Sequence, residues 1–295
     1  MSYKSSSMPS ISVIVAVFNR VESLQRCIES VTSQTYLNKE LIIIDGGSTD
    51  GTVEILKAND RQITYWESER DRGIYHAFNK ALAQAKGDWI YFLGSDDYLW
   101  DTHSLSNIAQ KLENIKHTNV LLAYGKVAIV SQGGDVLQVI NKPWQEVQNL
   151  FLQGCYICHQ GVFHHKSLFE KHGQFDESFP ITGDYELLLR ELKFKDSQPL
   201  FIPDITVAAM QTGGFSTSPQ HRIAILQEYA RARKKNQVLV FLPLAWAWGY
   251  VKALIWLILK NTLSDRTVNY IADSYRSLTG RVPIWSKISQ QGENP

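Results

Sequence analysis

The sequence lacks the features that mark several large classes of protein. It has only three cysteines, Cys27, Cys155 and Cys158, which cannot all pair within one chain and are typical of a reducing compartment. It also lacks an excess of charge, since 30 basic residues face 29 acidic ones. A balanced chain has no overall field that attracts polyanions, so we do not expect nucleic acid as a partner.

Two common phosphate-binding loops are also absent. The sequence contains no Gly-x-x-x-x-Gly-Lys-Ser/Thr segment, and the stretch from Asp45 to Gly51 does not follow Gly-x-Gly-x-x-Gly. Neither a P-loop ATPase nor a dinucleotide dehydrogenase is therefore supported. Residues 1–10 are rich in serine and have no apolar stretch of the kind found in a secretory signal, so we expect a cytoplasmic protein.

One cysteine pattern suggests a cofactor. The segment from Cys155 through Cys158 to His159 has the spacing of a c-type haem attachment site, and His164 and His165 nearby also suggest zinc. Haem attachment requires export, for which no signal is seen, and the apolar neighbours of the two histidines do not indicate zinc geometry. The preferred interpretation is that the thiols pack as small apolar side chains.

Strand and helix patterns alternate through the first hundred residues. Runs of β-branched or bulky apolar residues predict four strands, at 11–17, 41–44, 64–66 and 89–93. Apolar residues at helical spacing predict three helices between them, at 24–31, 53–56 and 74–85. This alternation predicts an α/β fold with a mostly parallel, Rossmann-like sheet flanked by helices.

The region after residue 100 is less regular. Residues 124–130 and 135–140 predict a hairpin around Gly133-Gly134. Two helices are predicted further on, a short one at 168–173 and a stronger one at 183–190. Asp184 lies at the start of the stronger helix, where an N-cap is the plainer interpretation of its carboxylate.

Polar clusters follow each of the first four predicted strands. They are Asn19, Asp45 to Gly51, Glu69 to Gly73, and the pair Asp96-Asp97. Ligands in open α/β sheets bind at the carboxyl ends of the strands, so these clusters are expected to share one rim. Asp50 is expected only to cap the helix that follows it. Adjacent carboxylates repel, and the pair therefore predicts a hard divalent cation that binds them.

The C-terminal region changes character. Four basic residues at 231–235 precede residues 238–259, a run rich in Leu, Ile and Trp that Pro243 and Lys252 interrupt. The length would permit a membrane-spanning helix, but a lysine near its middle is costly in a bilayer. An interfacial helix on a membrane surface fits better. A core helix or an oligomer-interface helix is the remaining alternative.

Several motifs, in the right order, resemble the family 2 glycosyltransferases of GT-A fold. They are Ser12-Val-Ile-Val-Ala-Val-Phe-Asn19, Asp45-Gly-Gly-Ser-Thr-Asp-Gly-Thr52, Asp71-Arg-Gly-Ile-Tyr-His-Ala-Phe-Asn79, Gly87-Asp88, Leu93-Gly-Ser-Asp-Asp97, His159-Gln160 and Gly183-Asp184-Tyr-Glu186. The resemblance extends over residues 10–217. It implies a GT-A domain over residues 1–220, in which residues 10–100 bind the nucleotide and residues 101–220 the acceptor. Residues 221–295 would form a helical, membrane-associated tail.

The resemblance also implies roles for individual residues. The donor-binding residues would be Ala16, Val17, Phe18, Asn19, Asp45, Asp71 and Asp96, with Asp45 contacting the base and Asp71 near the base and ribose. Asp97 would be the main ligand of Mn²⁺ or Mg²⁺, with Asp96 nearer the ribose or a metal-bound water. Asp184 matches the catalytic base. The acceptor or diphosphate side would be formed by His159, Gln160 and Gly214.

The family pattern is not matched at two positions. Ser95 stands where its metal motif has a first acidic residue, and Gly183 replaces the usual acidic neighbour of the base. The resemblance implies metal-dependent, inverting transfer of a sugar from a UDP-, GDP- or dTDP-sugar to a hydroxyl of a glycan or lipid-linked acceptor. Cell-surface polysaccharide synthesis at the inner face of the membrane is the expected setting. The alternatives are a sugar-phosphate nucleotidyltransferase and a non-catalytic membrane-associated assembly protein of the same fold.

Overall fold

The first half of the chain forms the parallel sheet that the alternating pattern predicts. The structure is a computed structural model that describes residues 8–116, 118–194, 196–213, 221–238, 243–280, 283 and 285, without the side chains of 243–247. The first four strands are β1 (Ile11–Val17), β2 (Lys39–Asp45), β3 (Tyr65–Ser68) and β4 (Trp89–Gly94). They lie in the order β3-β2-β1-β4, with every pair parallel. The helices α1 (Val21–Thr32), α2 (Thr52–Ala58) and α3 (Ile74–Gln84) connect them.

The second half of the sheet is mixed. Its strands are β5 (Tyr98–Leu99), β6 (Leu122–Val130), β7 (Val136–Ile140), β8 (Val162–His165) and β9 (Leu200–Gln211). Eight strands lie side by side in the order β3-β2-β1-β4-β8-β6-β9-β5, and β7 pairs with β6 outside this order. The predicted hairpin is confirmed, because β6 and β7 pair antiparallel. Strand β8 is antiparallel to both β4 and β6, whereas β6 and β9 are parallel. The α/β class is thus confirmed, and parallel pairing dominates only before residue 95.

The helices of the second half cover both faces of the sheet. They are α4 (Ser104–Glu113), α5 (Trp144–Phe151), α6 (Lys166–His172) and α7 (Gly183–Leu192). The central strands are apolar on both faces, because Val13 and Val15 belong to one core with α1 and α4 while Ile14 belongs to the other with α3 and α7. Burial on both faces explains why these strands appear in the sequence as unbroken apolar runs.

Three C-terminal helices follow the sheet, α8 (Arg222–Lys235), α9 (Pro243–Thr262) and α10 (Asp265–Leu278). Helix α8 packs on α7, and its Ala232 is buried in the core that α7 shares with α3. The Tyr229 ring of α8 lies 4.6 Å from that of Tyr185. Within the described part of the chain, no helix combines the length and the apolar character needed to cross a membrane.

Candidate active site

The loop after β2 is built around the carboxylate of Asp45. This side chain is fully buried and accepts hydrogen bonds from the backbone N–H groups of Gly47 (3.1 Å) and Ser48 (2.9 Å) and from the Ser68 hydroxyl (2.6 Å). Asn19 joins the loop to the end of β1, since its backbone N–H donates to Ser48 Oγ at 2.7 Å. The local hydrogen bonds of Asp45 therefore hold the loop in shape at the carboxyl edge of the sheet.

The end of β1 and Asp71 lie beside this loop. Ala16 is half-buried and Val17 is buried in the core, but the Phe18 ring at the end of β1 is 59% exposed. A Cβ on Gly46 would lie 3.4 Å from the Phe18 ring and 3.7 Å from Asp71 Oδ2. Gly46 therefore lies in close contact with both an aromatic ring and a carboxylate.

Asp71 has one carboxylate oxygen without a partner among the described residues. Its Oδ1 contacts His76 Nδ1 at 2.8 Å and Lys80 Nζ at 3.3 Å. Its Oδ2 is buried and has no hydrogen-bond partner in the described part of the chain. Buried polar atoms are almost always paired, so this oxygen is a candidate acceptor for an N–H or O–H group of a ligand or a water.

The adjacent aspartates lie over the end of β4. A Cβ on Gly94 would come within 2.4 Å of Asp97 Oδ2 and 3.2 Å of Asp96 Oδ1, so only glycine permits both carboxylates to approach this point. Asp97 is 3% exposed, and its Oδ1 accepts a hydrogen bond from the backbone of Gln211 at 2.9 Å. Gln211 ends β9, so the curled second half of the sheet closes over the aspartate pair.

The ionised form of Asp97 is destabilised in this arrangement. Burial, followed by the nearby charge of Asp96, raises the pKa of Asp97 to about 7, against hydrogen bonds from Gln211 and Gln160 that lower it. A cation bound to such a buried carboxylate stabilises its ionised form and lowers its pKa.

The two carboxylates fit a hard cation that phosphates help to bind. In the part of the chain that the structure describes, no group of three His, Cys, Asp or Glu side chains could hold a metal ion. Mg²⁺ usually takes one or two carboxylates, with substrate phosphates and waters as the remaining ligands. Two oxygens converging over Gly94 match that requirement, and Ser95 supplies no third carboxylate.

Asp184 lies in the first turn of α7. The helix N-cap is Thr182, whose hydroxyl donates to Glu228 of α8 at 3.0 Å, so the N-cap interpretation of Asp184 is wrong. Asp184 Oδ1 accepts a hydrogen bond from the backbone N–H of Tyr185 at 2.8 Å, and it lies 3.3 Å from the Tyr75 hydroxyl, whose shorter hydrogen bond goes to the Ile181 carbonyl at 2.9 Å. One carboxylate oxygen is thereby fixed, and the side chain stays only partly buried.

Gly183 leaves room for the Tyr75 ring at the start of α7. A Cβ at this position would lie 2.8–2.9 Å from three atoms of that ring. An acidic side chain in place of Gly183 would displace the ring whose hydroxyl contacts Asp184. Two other carboxylates near α7 are already engaged, because Glu186 pairs with Arg190 and Lys235, and Asp176 pairs with Lys235 at 2.8 Å.

The segment from Cys158 to Gln160 lies between the aspartate pair and Asp184. Burial raises the pKa of the Cys158 thiol to about 12, and the charges of Asp97 and Asp184 both add to this effect. His159 stacks on Phe92 with ring centroids 5.3 Å apart. The aspartate pair and Asp184 are therefore both close enough to influence this segment, whereas Gly214 lies outside the described residues.

The cysteines play the structural part expected of them. All three are free thiols, and Cys155 Sγ contacts its own loop at Ile157 O, 3.1 Å away. Cys158 Sγ lies 3.1 Å from Gln160 Oε1, which helps to orient the amide that contacts Asp97.

Sequence reasoning missed several residues of the site. Gly94 and Tyr75 both lie within the family motifs, but no local pattern predicts that Gly94 makes room for the two aspartates or that Tyr75 lies beside Asp184. Glu228 accepts hydrogen bonds from the backbone of Ile181 and Thr182 at 3.1 and 2.8 Å, and supports the turn before Asp184 from a helix assigned to the tail. No local pattern marks Glu228, because its partners lie far away in the chain.

Comparisons with known proteins identify the family. The sequence pattern of Glycosyl transferase family 2 matches residues 12–164. A PGL/p-HBAD biosynthesis glycosyltransferase of Mycobacterium bovis (strain BCG / Pasteur 1173P2) is 30% identical over 189 residues, covering 62% of this chain and 69% of that protein. The Escherichia coli UDP-Glc:alpha-D-GlcNAc-diphosphoundecaprenol beta-1,3-glucosyltransferase WfaP is 34% identical over 188 residues, covering 63% and 71%.

The fold is also similar to that of solved structures. The mannosyltransferase PcManGT from Pyrobaculum calidifontis, in complex with GDP-Man and Mn²⁺, superposes with a TM-score of 0.61 at 17% identity. The match covers 96% of this chain and 84% of that one. At this level of identity the similarity establishes the fold.

Proposed function

Since the chain belongs to glycosyl transferase family 2 and is a glycosyltransferase of GT-A fold, we propose that it catalyses metal-dependent, inverting transfer of a sugar from a nucleotide diphosphate to a hydroxyl group. The main support is that Gln160 contacts Asp97, while the ring of the neighbouring His159 lies 6.5 Å from Phe78, which packs 6.0 Å from the Tyr75 ring beside Asp184. A metal-binding carboxylate and a base are both required by a single displacement.

Asp184 would act as the base. The first turn of α7 holds its Oδ1 beside Tyr75, which leaves Oδ2 to take the proton from the acceptor hydroxyl. The deprotonated oxygen then forms a bond to the anomeric carbon on the face opposite the leaving diphosphate, and the configuration inverts. A cation at Asp97 and Asp96 would neutralise the negative charge that develops on the diphosphate.

The nucleoside would bind beside Gly46, between Phe18 and Asp71. The exposed Phe18 ring offers a surface for stacking, and Asp71 Oδ2 offers an acceptor for a base or ribose donor. Asp45 and Asn19 would contribute by shaping the loop beside the base. UDP-, GDP- and dTDP-sugars are the candidate donors, in keeping with the UDP-Glc and GDP-Man named for two of the similar proteins.

Asp71→Asn is expected to weaken binding of the cognate nucleoside diphosphate by roughly tenfold to a hundredfold, because it removes a charged hydrogen-bond acceptor from a buried site. Isothermal calorimetry with UDP, GDP and dTDP in the presence of Mn²⁺ measures this effect. Asp50→Asn is the matched control, since Asp50 bonds only to neighbouring loop groups of Val21 and Thr52. Equal affinities in both variants would contradict the role of Asp71.

The acceptor is proposed to be a glycan or a lipid-linked glycan. The WfaP name specifies a diphosphoundecaprenol acceptor, and the mycobacterial name specifies PGL biosynthesis. We therefore propose the synthesis of a cell-surface glycan as the setting for this chain, with the inner face of the membrane as its place because of the surface of α9 described next.

Helix α9 offers the surface for membrane contact. Its side chains Trp248, Val251, Leu254, Ile255 and Ile258 form one stripe and are 43–61% exposed. The charged residues of this helix are Lys252 and Lys260, with no acidic residue among its 20 residues. An exposed apolar stripe with only positive charge suits an anionic lipid surface.

Full-length protein is expected to float with anionic liposomes, and the double substitution Leu254→Gln with Ile258→Gln should reduce the bound fraction about tenfold or more, because two apolar side chains no longer insert. Leu37→Gln with Val136→Gln is the matched control, since these side chains are exposed elsewhere on the surface. Equal flotation of the two double variants would count against α9, and no flotation of the unaltered protein would exclude the interfacial role.

A donor panel tests the proposed function as a whole. Ligand-detected binding of UDP-, GDP- and dTDP-sugars, followed by transfer or hydrolysis assays with Mn²⁺ or Mg²⁺, should identify one donor that is consumed only with metal present. Binding without turnover under all conditions would favour a non-catalytic assembly protein. Release of pyrophosphate from a nucleoside triphosphate and a sugar phosphate would favour a nucleotidyltransferase.

A further inference from the structure

The turn that leads into α7 is held by a carboxylate from the C-terminal helices. Glu228 lies in the middle of α8 and is 7% exposed. Its Oε2 accepts hydrogen bonds from the backbone N–H groups of Ile181 (3.1 Å) and Thr182 (2.8 Å) and from the Thr182 hydroxyl (3.0 Å). A carboxylate oxygen accepts more than one hydrogen bond, so this one atom engages every N–H and O–H group of the two residues that precede α7.

The same two residues are also held through their carbonyl groups. The Tyr75 hydroxyl of α3 donates to Ile181 O at 2.9 Å, and the backbone N–H of Glu186 donates to Thr182 O at 3.0 Å. Asp184 follows two positions after Thr182, and its Oδ1 lies 3.3 Å from the same Tyr75 hydroxyl. A shift of this turn would therefore move the Asp184 carboxylate.

Helix α8 is packed firmly enough on the domain to act as a support. Three residues after Glu228, the Arg231 guanidinium lies 3.9 Å from the centroid of the Phe179 ring, in the segment just before the turn. At the end of the helix, the Asn236 side chain donates to Glu186 Oε1 of α7 at 3.1 Å and is buried. The helix thus contacts the segment before α7 and α7 itself on both sides of the turn.

We propose that Glu228 is a positioning residue for Asp184, and that the catalytic unit therefore extends through α8. This inference rests on the proposed function, in which Asp184 is the base. Glu228 acts by fixing the turn from which the base projects, and a misplacement of about 1 Å can lower a rate on the order of 10²-fold.

Substitutions of Glu228 that keep or remove the acceptor oxygen test this role. Glu228→Gln retains an oxygen for the three donors, so kcat for transfer should stay within about threefold. Glu228→Leu leaves the donors buried without an acceptor, so kcat should fall roughly tenfold to a hundredfold, while affinity for UDP or GDP with Mn²⁺ changes less than about twofold. Glu228→Asp draws the oxygen back by one methylene group, should give an intermediate loss, and serves if the leucine variant does not fold.

A double-mutant cycle separates positioning from a general structural effect. Glu228→Leu should lower single-turnover transfer about tenfold or more in the unaltered protein, but less than about twofold in Asp184→Asn, where no base is left to misplace. An equal loss in both backgrounds would mean that Glu228 does not act through Asp184, and would overturn the proposal.

Glu191→Leu is the matched control for loss of a buried acceptor. Glu191 lies near the other end of α7, is 8% exposed, and pairs with Lys171 at 2.8 Å and His172 at 2.6 Å. Its loss should lower the melting temperature by a similar amount while kcat stays within about twofold. A loss of kcat equal to that of Glu228→Leu would assign the effect to stability and overturn the positioning role.

Hydrogen exchange of the Ile181 and Thr182 amides tests the contact without an assay of transfer. Both amides should be protected in the unaltered protein and in Glu228→Gln, and should exchange about tenfold or more faster in Glu228→Leu. Unchanged protection in Glu228→Leu would overturn the proposal, as would equal losses of kcat in the Gln and Leu variants. Protected amides in a protein that consumes no donor with metal present would instead count against the proposed function.

Discussion

Replacing Asp184 by Asn is expected to reduce the rate of sugar transfer by roughly 10² to 10⁴ while donor binding and folding persist. The amide still accepts the hydrogen bond that the backbone of Tyr185 gives to Oδ1, so the geometry of the turn is retained. It cannot take a proton from the acceptor hydroxyl. Transfer rate, UDP or GDP affinity and melting temperature measured on the same preparation separate these effects.

Asp265→Asn provides the matched control. Asp265 also lies in the first turn of a helix, α10, so both substitutions remove a favourable helix-dipole charge worth about 0.3–1 kcal/mol. Only Asp184→Asn should affect transfer. Near-normal transfer in Asp184→Asn would refute its role as the base. Glu186 and Asp176 would then be poor replacements, because both are already bound to basic side chains.

Replacing Asp97 by Asn is expected to weaken metal-dependent nucleotide binding on the order of 10²-fold and, in metal-free buffer at pH 8, to raise the melting temperature by about 5 °C. The two effects have one cause. Burial and the charge of Asp96 disfavour the ionised form of Asp97, and a bound cation would stabilise that form. Calorimetry with UDP or GDP and Mn²⁺, beside thermal melts in EDTA, measures both.

The pH dependence follows from the same pKa. The folded-state pKa of Asp97 is about 7, above its ordinary value of 3.8, so the folded protein binds a proton more readily than the unfolded chain between these pH values. The free energy of unfolding of the metal-free protein should therefore fall as pH rises from about 4 to 7. The affinity for Mn²⁺ should rise by up to about tenfold per pH unit over the upper part of that range, because the cation displaces the proton.

Asp96→Asn is the control that tests which of the two aspartates is the main ligand of the cation. Asp96 is only partly buried, so its substitution should relieve Asp97 without removing the main ligand. A smaller loss of metal-dependent binding is expected than for Asp97→Asn. A larger loss would assign the cation mainly to Asp96, and unchanged binding in both variants would contradict the metal site.

The parts of the fold that were predictable are those with a strong local pattern. Strands β1, β2 and β4 are buried on both faces and give unbroken apolar runs, whereas β9 carries Pro203 and Asp204 within its length and was not predicted. Helix α4 was missed although Leu105, Ile108 and Leu112 follow helical spacing. All strands of the first half of the sheet were thus predictable. In the second half of the domain, only the β6–β7 hairpin and the helices α6 and α7 were.

The sequence by itself determined the family, the alternating first half and the rim of acidic residues, because each depends on short motifs and on the rule that parallel strands end at one edge. Only the tertiary structure decided what surrounds those residues. The contacts of Gln211 with Asp97 and of Tyr75 with Asp184 join residues 114 and 109 positions apart. The first contact forms where the end of β9 returns to the loop after β4, and the second where α7 packs beside α3, and no local pattern encodes either approach.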